Sequence, residues 1–121
     1  MINHISVGTS NYARAKAFYT AVFETLGYVM VTDFGDACGF GKDGELASFW
    51  LTDTATEQMV GFHVAFSTAS PDAVDAFYTA ALAHGGKDNG APGLRPEYSP
   101  TYYAAFVISP DGHHLEAVHG R

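Results

Sequence analysis

Three side chains here are of types that hold divalent metals, and their spacing suggests that they meet. His4 stands in Ile2-Asn-His-Ile-Ser-Val7 and His63 in Phe62-His-Val-Ala-Phe66, both short runs of strand-like apolar residues. A lone histidine in such a run is usually an ordinary core residue. Two at equivalent places in a repeated sequence are different: approximate twofold symmetry carries both toward one cleft, and neutral imidazole nitrogen is a good ligand for divalent transition metals. The third group is Glu116, in the closing stretch Ser109-Pro-Asp-Gly-His-His-Leu-Glu-Ala-Val-His119. Strand alternation sends His114, Glu116 and Val118 to one side and His113, Leu115, Ala117 and His119 to the other. A carboxylate between Leu115 and Ala117 on a central strand needs a partner, because a buried unpaired charge is costly. No Lys or Arg lies close in sequence, whereas a metal shared with His4 and His63 would satisfy it. The alternative is a rim glutamate facing water. Two His and one Glu leave two or three coordination positions for water or substrate, a count that suits a catalytic octahedral ion better than a closed structural one. His113, His114 and His119 read as polar strand-end residues, with His114 the reserve ligand.

The elements that must position these groups form a repeat. Residues 2–8 alternate as a strand, Ser10 and Asn11 offer helix caps, and Phe18, Val22 and Leu26 recur at helical spacing up to a C-capping Gly27. Strands follow at about 28–34, 37–41 and 46–52. Residues 60–68 start the plan again: Ser70 caps, Pro71 takes the first helical position, and Val74, Phe77 and Ala81 continue the stripe. Strands at 101–108 and 113–119 close the chain around Pro110-Asp111-Gly112. A shift of 59 residues lays His4 on His63 and Ala17-Phe-Tyr-Thr-Ala21 on Ala76-Phe-Tyr-Thr-Ala80. This predicts one α+β domain over 1–121, built of two βαβββ repeats (about 1–55 and 59–121) as curved mixed sheets around a cleft. Aligning Asp43-Gly44 with Asp111-Gly112 sets Ser48 opposite Glu116, with Trp50 on the same strand face. Residues 85–101, rich in Gly and Pro, read as a long loop: either a lid of Leu94, Arg95 and Tyr98 in which Arg95 pairs an anionic substrate group, or a plain surface loop with a solvated Arg95. Trp50, Phe49, Tyr102 and Tyr103 are candidates to line the substrate pocket, against the plainer possibility that they are core.

The paired repeat, "INHISV" and "GFHVAF" at the strand starts, "AKAFYTAVF" and "VDAFYTAAL" in the helices, and "SPDGHHLEAVH" at the end together resemble the glyoxalase/bleomycin-resistance/extradiol-dioxygenase group, the vicinal oxygen chelate superfamily. The resemblance implies a divalent metal (Zn, Ni, Mn or Fe) on His4, His63 and Glu116. It also implies lyase or isomerase chemistry on a small oxygenated substrate, with Glu116 able to shuttle a proton. Glyoxalase I has a fourth ligand, a Glu from the end of the first repeat, where this chain has Ser48, Phe49 and Trp50. A His, His, Glu set without it resembles the fosfomycin-resistance thiol transferases, and bleomycin-sequestering relatives share the fold without metal chemistry. The resemblance further implies a homodimer in which His4 of one chain joins His63 and Glu116 of the other.

Composition narrows the partners. With 121 residues, a net charge of −7 and only 6 Lys and Arg, the chain is large enough for a real core and wrongly charged for nucleic acid. Cys38 is the single cysteine, which excludes an intrachain disulfide and reads as a small core residue. No apolar run approaches membrane-spanning length and no leader pattern opens the sequence, so a cytoplasmic location is expected.

Overall fold

The computed structural model describes residues 1–55 and 62–121. Two modules follow one another with the same element order. The first is β1 (Ile5–Thr9), α1 (Tyr12–Glu24), β2 (Val29–Asp33), β3 (Ala37–Gly41) and β4 (Phe49–Asp53). The second is β5 (His63–Ser67), α2 (Pro71–Ala83), β6 (Lys87–Leu94), β7 (Tyr103–Ile108) and β8 (His114–His119). Each folds as a four-stranded mixed sheet, β1-β4-β3-β2 and β5-β8-β7-β6, in which the first strand pairs parallel to the last. The predicted α+β architecture of two βαβββ repeats is what the chain adopts. The expected strand residues 60 and 61, and the expected start of the second repeat at 59, lie outside the described residues.

Local chemistry accounts for the helices. Asn11 accepts a hydrogen bond from the backbone N–H of Arg14 at 3.2 Å, and Ser70 does the same for Ala73 at 3.2 Å, each satisfying a donor the helix itself cannot. Phe18, Tyr19, Val22 and Phe23 of α1 and Val74, Phe77 and Ala81 of α2 are fully buried, and the two helices touch. With Leu51, Val107, Leu115 and Ala117 from the sheets they form one continuous core, in which Cys38 is buried as expected.

The loop expected over 85–101 is half strand: residues 87–94 form β6, paired antiparallel to β7. Its Gly/Pro content disguises it, yet β6 is the outer strand of its sheet, where a proline withholds no needed donor. Its register slips between Asp88 and Gly90 and again between Gly90 and Gly93. Gly90, at φ 146, allows the close approach: a Cβ there would lie 2.9 Å from the ring of Phe106.

The second hairpin is tied to the first module. The carboxylate of Asp111, its side chain 3 % exposed, accepts from Thr9 Oγ1 at 2.8 Å and from Arg14 Nη2 at 3.3 Å. His113, only 1 % exposed, shares a 2.8 Å hydrogen bond between its Nδ1 and the hydroxyl of Tyr19 on α1. The sequence suggested a polar strand-end role for His113. Its face of β8 instead packs with Leu115 and Ala117 against the helices, so the imidazole is drawn into the core.

Candidate functional site

The parallel pairing of β5 with β8 sets Ala65 across from Glu116, two residues beyond the His63–His114 pair and on the same face. Strand alternation turns Leu115 and Ala117 to the core and leaves Glu116 on the opposite face. There its side chain, 5 % exposed, receives one neighbour on each oxygen. His63 Nε2 lies 2.8 Å from Oε2, and the Tyr102 hydroxyl donates to Oε1 at 2.5 Å. Phe106, directly opposite Glu116 on β7, stands beside the His63 ring at 6.2 Å. These groups form the inner wall of an open cavity of about 520 Å³, with Tyr98 and Ser99 at its mouth. Burial, and next the Glu116 carboxylate it bonds, push the Tyr102 phenol up to about 12, so its proton stays available to donate.

His4 is not part of this pair. β1 begins one residue later, and His4 is exposed with Nδ1 2.8 Å from Asn3 Oδ1. Among the described residues, no three His, Cys, Asp or Glu side chains gather within one chain. The His63–Glu116 pair does fit a metal. Nε2 and Oε2 converge to 2.8 Å, close to the roughly 3 Å separating adjacent ligands held about 2.1 Å from one ion.

The other expected site residues are dispersed. Tyr98, 64 % exposed, lines the cavity and meets Tyr102 edge-on at 5.2 Å. Arg95 does not reach outward for an anion. Its guanidinium lies over Phe106 at 5.5 Å and donates to the Ala91 carbonyl at 2.6 Å, in the space Gly90 and Gly93 leave. Tyr103 points to the helix side, donating to Asp75 of α2 at 2.6 Å; alternation along β7 gives the cavity Tyr102 instead. Trp50 lies in the other sheet, stacked on Phe34 at 6.2 Å and 6°.

Trp50 also corrects the repeat alignment. Ser6 pairs with Trp50 and Ala65 with Glu116, and Ser6 and Ala65 are equivalent in the 59-residue shift. The position matching Glu116 is therefore Trp50, not Ser48. The Asp-Gly turn misled because four residues separate Gly44 from Phe49 but only two separate Gly112 from Leu115. Tyr102 was named only among possible pocket aromatics; its place on the alternation with Phe106 was the available signal.

A family model described as "Glyoxalase/Bleomycin resistance protein/Dioxygenase superfamily" matches residues 1–117. Among solved structures, a glyoxalase/bleomycin resistance protein from Albidiferax ferrireducens T118 is 28 % identical, with a TM-score of 0.84 over 97 % of each chain. A glyoxalase-related enzyme from Fulvimarina pelagi is 16 % identical, with a TM-score of 0.77 over 99 % of this chain and 88 % of that one. The genomically encoded fosfomycin resistance protein FosX from Listeria monocytogenes is 17 % identical, with a TM-score of 0.72 over 98 % of this chain and 91 % of that one. No curated protein matches the sequence.

Proposed function

The chain belongs to the Glyoxalase/Bleomycin resistance protein/Dioxygenase superfamily, and from that premise we propose that it is a divalent-metal-dependent enzyme of lyase or isomerase type acting on a small oxygenated substrate. The observation that carries this reading is the His63 Nε2–Glu116 Oε2 contact of 2.8 Å on the inner wall of an open cavity. His63 and Glu116 would hold the ion. Bound there, it would draw substrate oxygens together and stabilise negative charge developing on them. On leaving the ion, Glu116 would also be the group placed to take up and return a proton at Oε2. Tyr98 meets the substrate at the mouth.

The third ligand comes from a second copy of the chain. β1 and β5 are edge strands of their sheets, and an apolar groove of about 200 Å³ runs between them, lined by Ile5, Phe49, Val64 and Phe66. Unpaired strand edges beside such a half-buried apolar groove favour pairing with another chain. In a homodimer joined along these edges, His4 of one protomer completes the pair of the other, and Trp50 enters the same cleft as a substrate contact. The described residues contain no helix long and apolar enough to cross a membrane.

A second reading, a protein that sequesters a small molecule without turnover, is favoured by the Phe34–Trp50 stack standing where a second carboxylate could be. A thiol transferase of the fosfomycin-resistance kind is a variant of the first reading that lacks a fourth ligand. Metal content of protein purified without chelator, wild type against Glu116→Ala, separates the classes. About one ion per cleft, lost in the variant, supports the enzyme; protein free of metal in both forms sinks it. Methylglyoxal with glutathione, then fosfomycin with a thiol, are the first turnover assays.

A further inference from the structure

The two oxygens of Glu116 have unlike surroundings, and Tyr102 makes the difference. Its backbone is fixed on both sides: its carbonyl accepts from Arg95 N at 2.7 Å and its N–H donates to Ser99 O at 3.3 Å. Its ring is braced edge-on by Tyr98. The hydroxyl is thus delivered to Oε1 by a structured turn rather than by a mobile side chain. A carboxylate left alone turns readily about its last torsion, which has a broad, nearly twofold profile, and can offer either oxygen or both. With Oε1 occupied by the phenol, only Oε2 faces His63 Nε2.

Resting on the metal reading above, we propose that Tyr102 is a positioning residue that holds Glu116 as a one-oxygen ligand and reserves Oε2 for the ion. Outer-shell hydrogen bonds of this kind change metal affinity by about 10–100-fold. The phenol also shields Oε1 from substrate, so a proton reaches Glu116 only at Oε2, and only once that oxygen has left the ion.

The test is Tyr102→Phe, which keeps the ring and removes the bond, examined on metal-free protein titrated with Ni²⁺ by calorimetry and with Co²⁺ by visible absorption. The expected result is an affinity weaker by about 10–100-fold and a changed Co²⁺ ligand-field spectrum, with a fall in the melting temperature of the metal-free protein no larger than the loss of one hydrogen bond accounts for. Wild-type affinity or a wild-type Co²⁺ spectrum overturns the proposal. So does a large fall in melting temperature with the Co²⁺ spectrum unchanged, which assigns Tyr102 a purely structural role. His63→Ala and Glu116→Ala run alongside. If both still bind Ni²⁺ as wild type does, the metal reading itself fails; if both lose it while Tyr102→Phe does not, the positioning role alone falls.

Discussion

Removing one oxygen atom from the core, by Tyr19→Phe, should destabilise the protein far more than its size suggests. Tyr19 and His113 are both essentially inaccessible, and the hydroxyl lies 2.8 Å from Nδ1. The other ring nitrogen, Nε2, already has no partner among the described residues. The substitution leaves the imidazole without any hydrogen bond in a desolvated site, which costs about 1–3 kcal/mol. For a chain of this length a loss of about 2 kcal/mol lowers the melting temperature by about 8 °C. The double variant Tyr19→Phe/His113→Leu replaces both partners with apolar groups, so it should cost less than the sum of the single changes. His113→Leu also carries a pH signature. Burial holds the imidazole below its ordinary value, with the Asp111 carboxylate pulling the other way. A histidine with a depressed folded pKa binds fewer protons folded than unfolded. Its contribution is therefore full above pH 6.5 and is lost as pH falls through the folded value, by up to about 1.4 kcal/mol per pH unit. Urea melts of wild type and His113→Leu between about pH 5 and pH 7 measure this: the wild-type stability should fall more steeply toward acid. Parallel curves, or a Tyr19→Phe variant as stable as wild type, refute the reasoning.

Two further outcomes follow from the sheets. Gly90→Ala forces a Cβ to 2.9 Å from the Phe106 ring at φ 146, so it should cost about 1–3 kcal/mol in urea denaturation, with β6 losing amide-exchange protection first. Trp50→Glu installs a carboxylate at the position equivalent to Glu116; in the proposed dimer it should raise Ni²⁺ affinity by about tenfold or more, and unchanged affinity speaks against the pairing of clefts across protomers.

Much of this architecture was legible because periodicity and caps agree with one another. Asn11, Ser70 and Pro71 start helices where the apolar stripe begins, and the 59-residue shift carries α1 onto α2. Glu116 was legible for a different reason: alternation fixes its face, and burial demands a partner for it. What failed did so where tertiary context overrides local chemistry. β6 looks like loop because glycine and proline are poor strand residues, yet an outer strand beneath Arg95 and Phe106 needs them. The turn residues Asp43-Gly44 and Asp111-Gly112 match in chemistry but not in distance from the strand that follows, which moved the predicted counterpart of Glu116 by two positions. Tyr102 and Tyr103 are identical in type, and only the register of β7 decides which meets Glu116 and which meets Asp75.

The ties between α1 and the second hairpin also bear on how the chain folds in time. Thr9 and Asp111 are 102 residues apart in sequence, Arg14 and Asp111 97, and Tyr19 and His113 94. Long loops must close before any of these bonds forms, so high contact order places the protein among the slower folders of its size, with refolding on the millisecond-to-second scale. The first βαβββ unit therefore emerges from the ribosome before the hairpin that completes it, with its Tyr19 face still waiting for β8. That interval, rather than the finished structure, is when the nascent chain most exposes its apolar surface to aggregation and to chaperones.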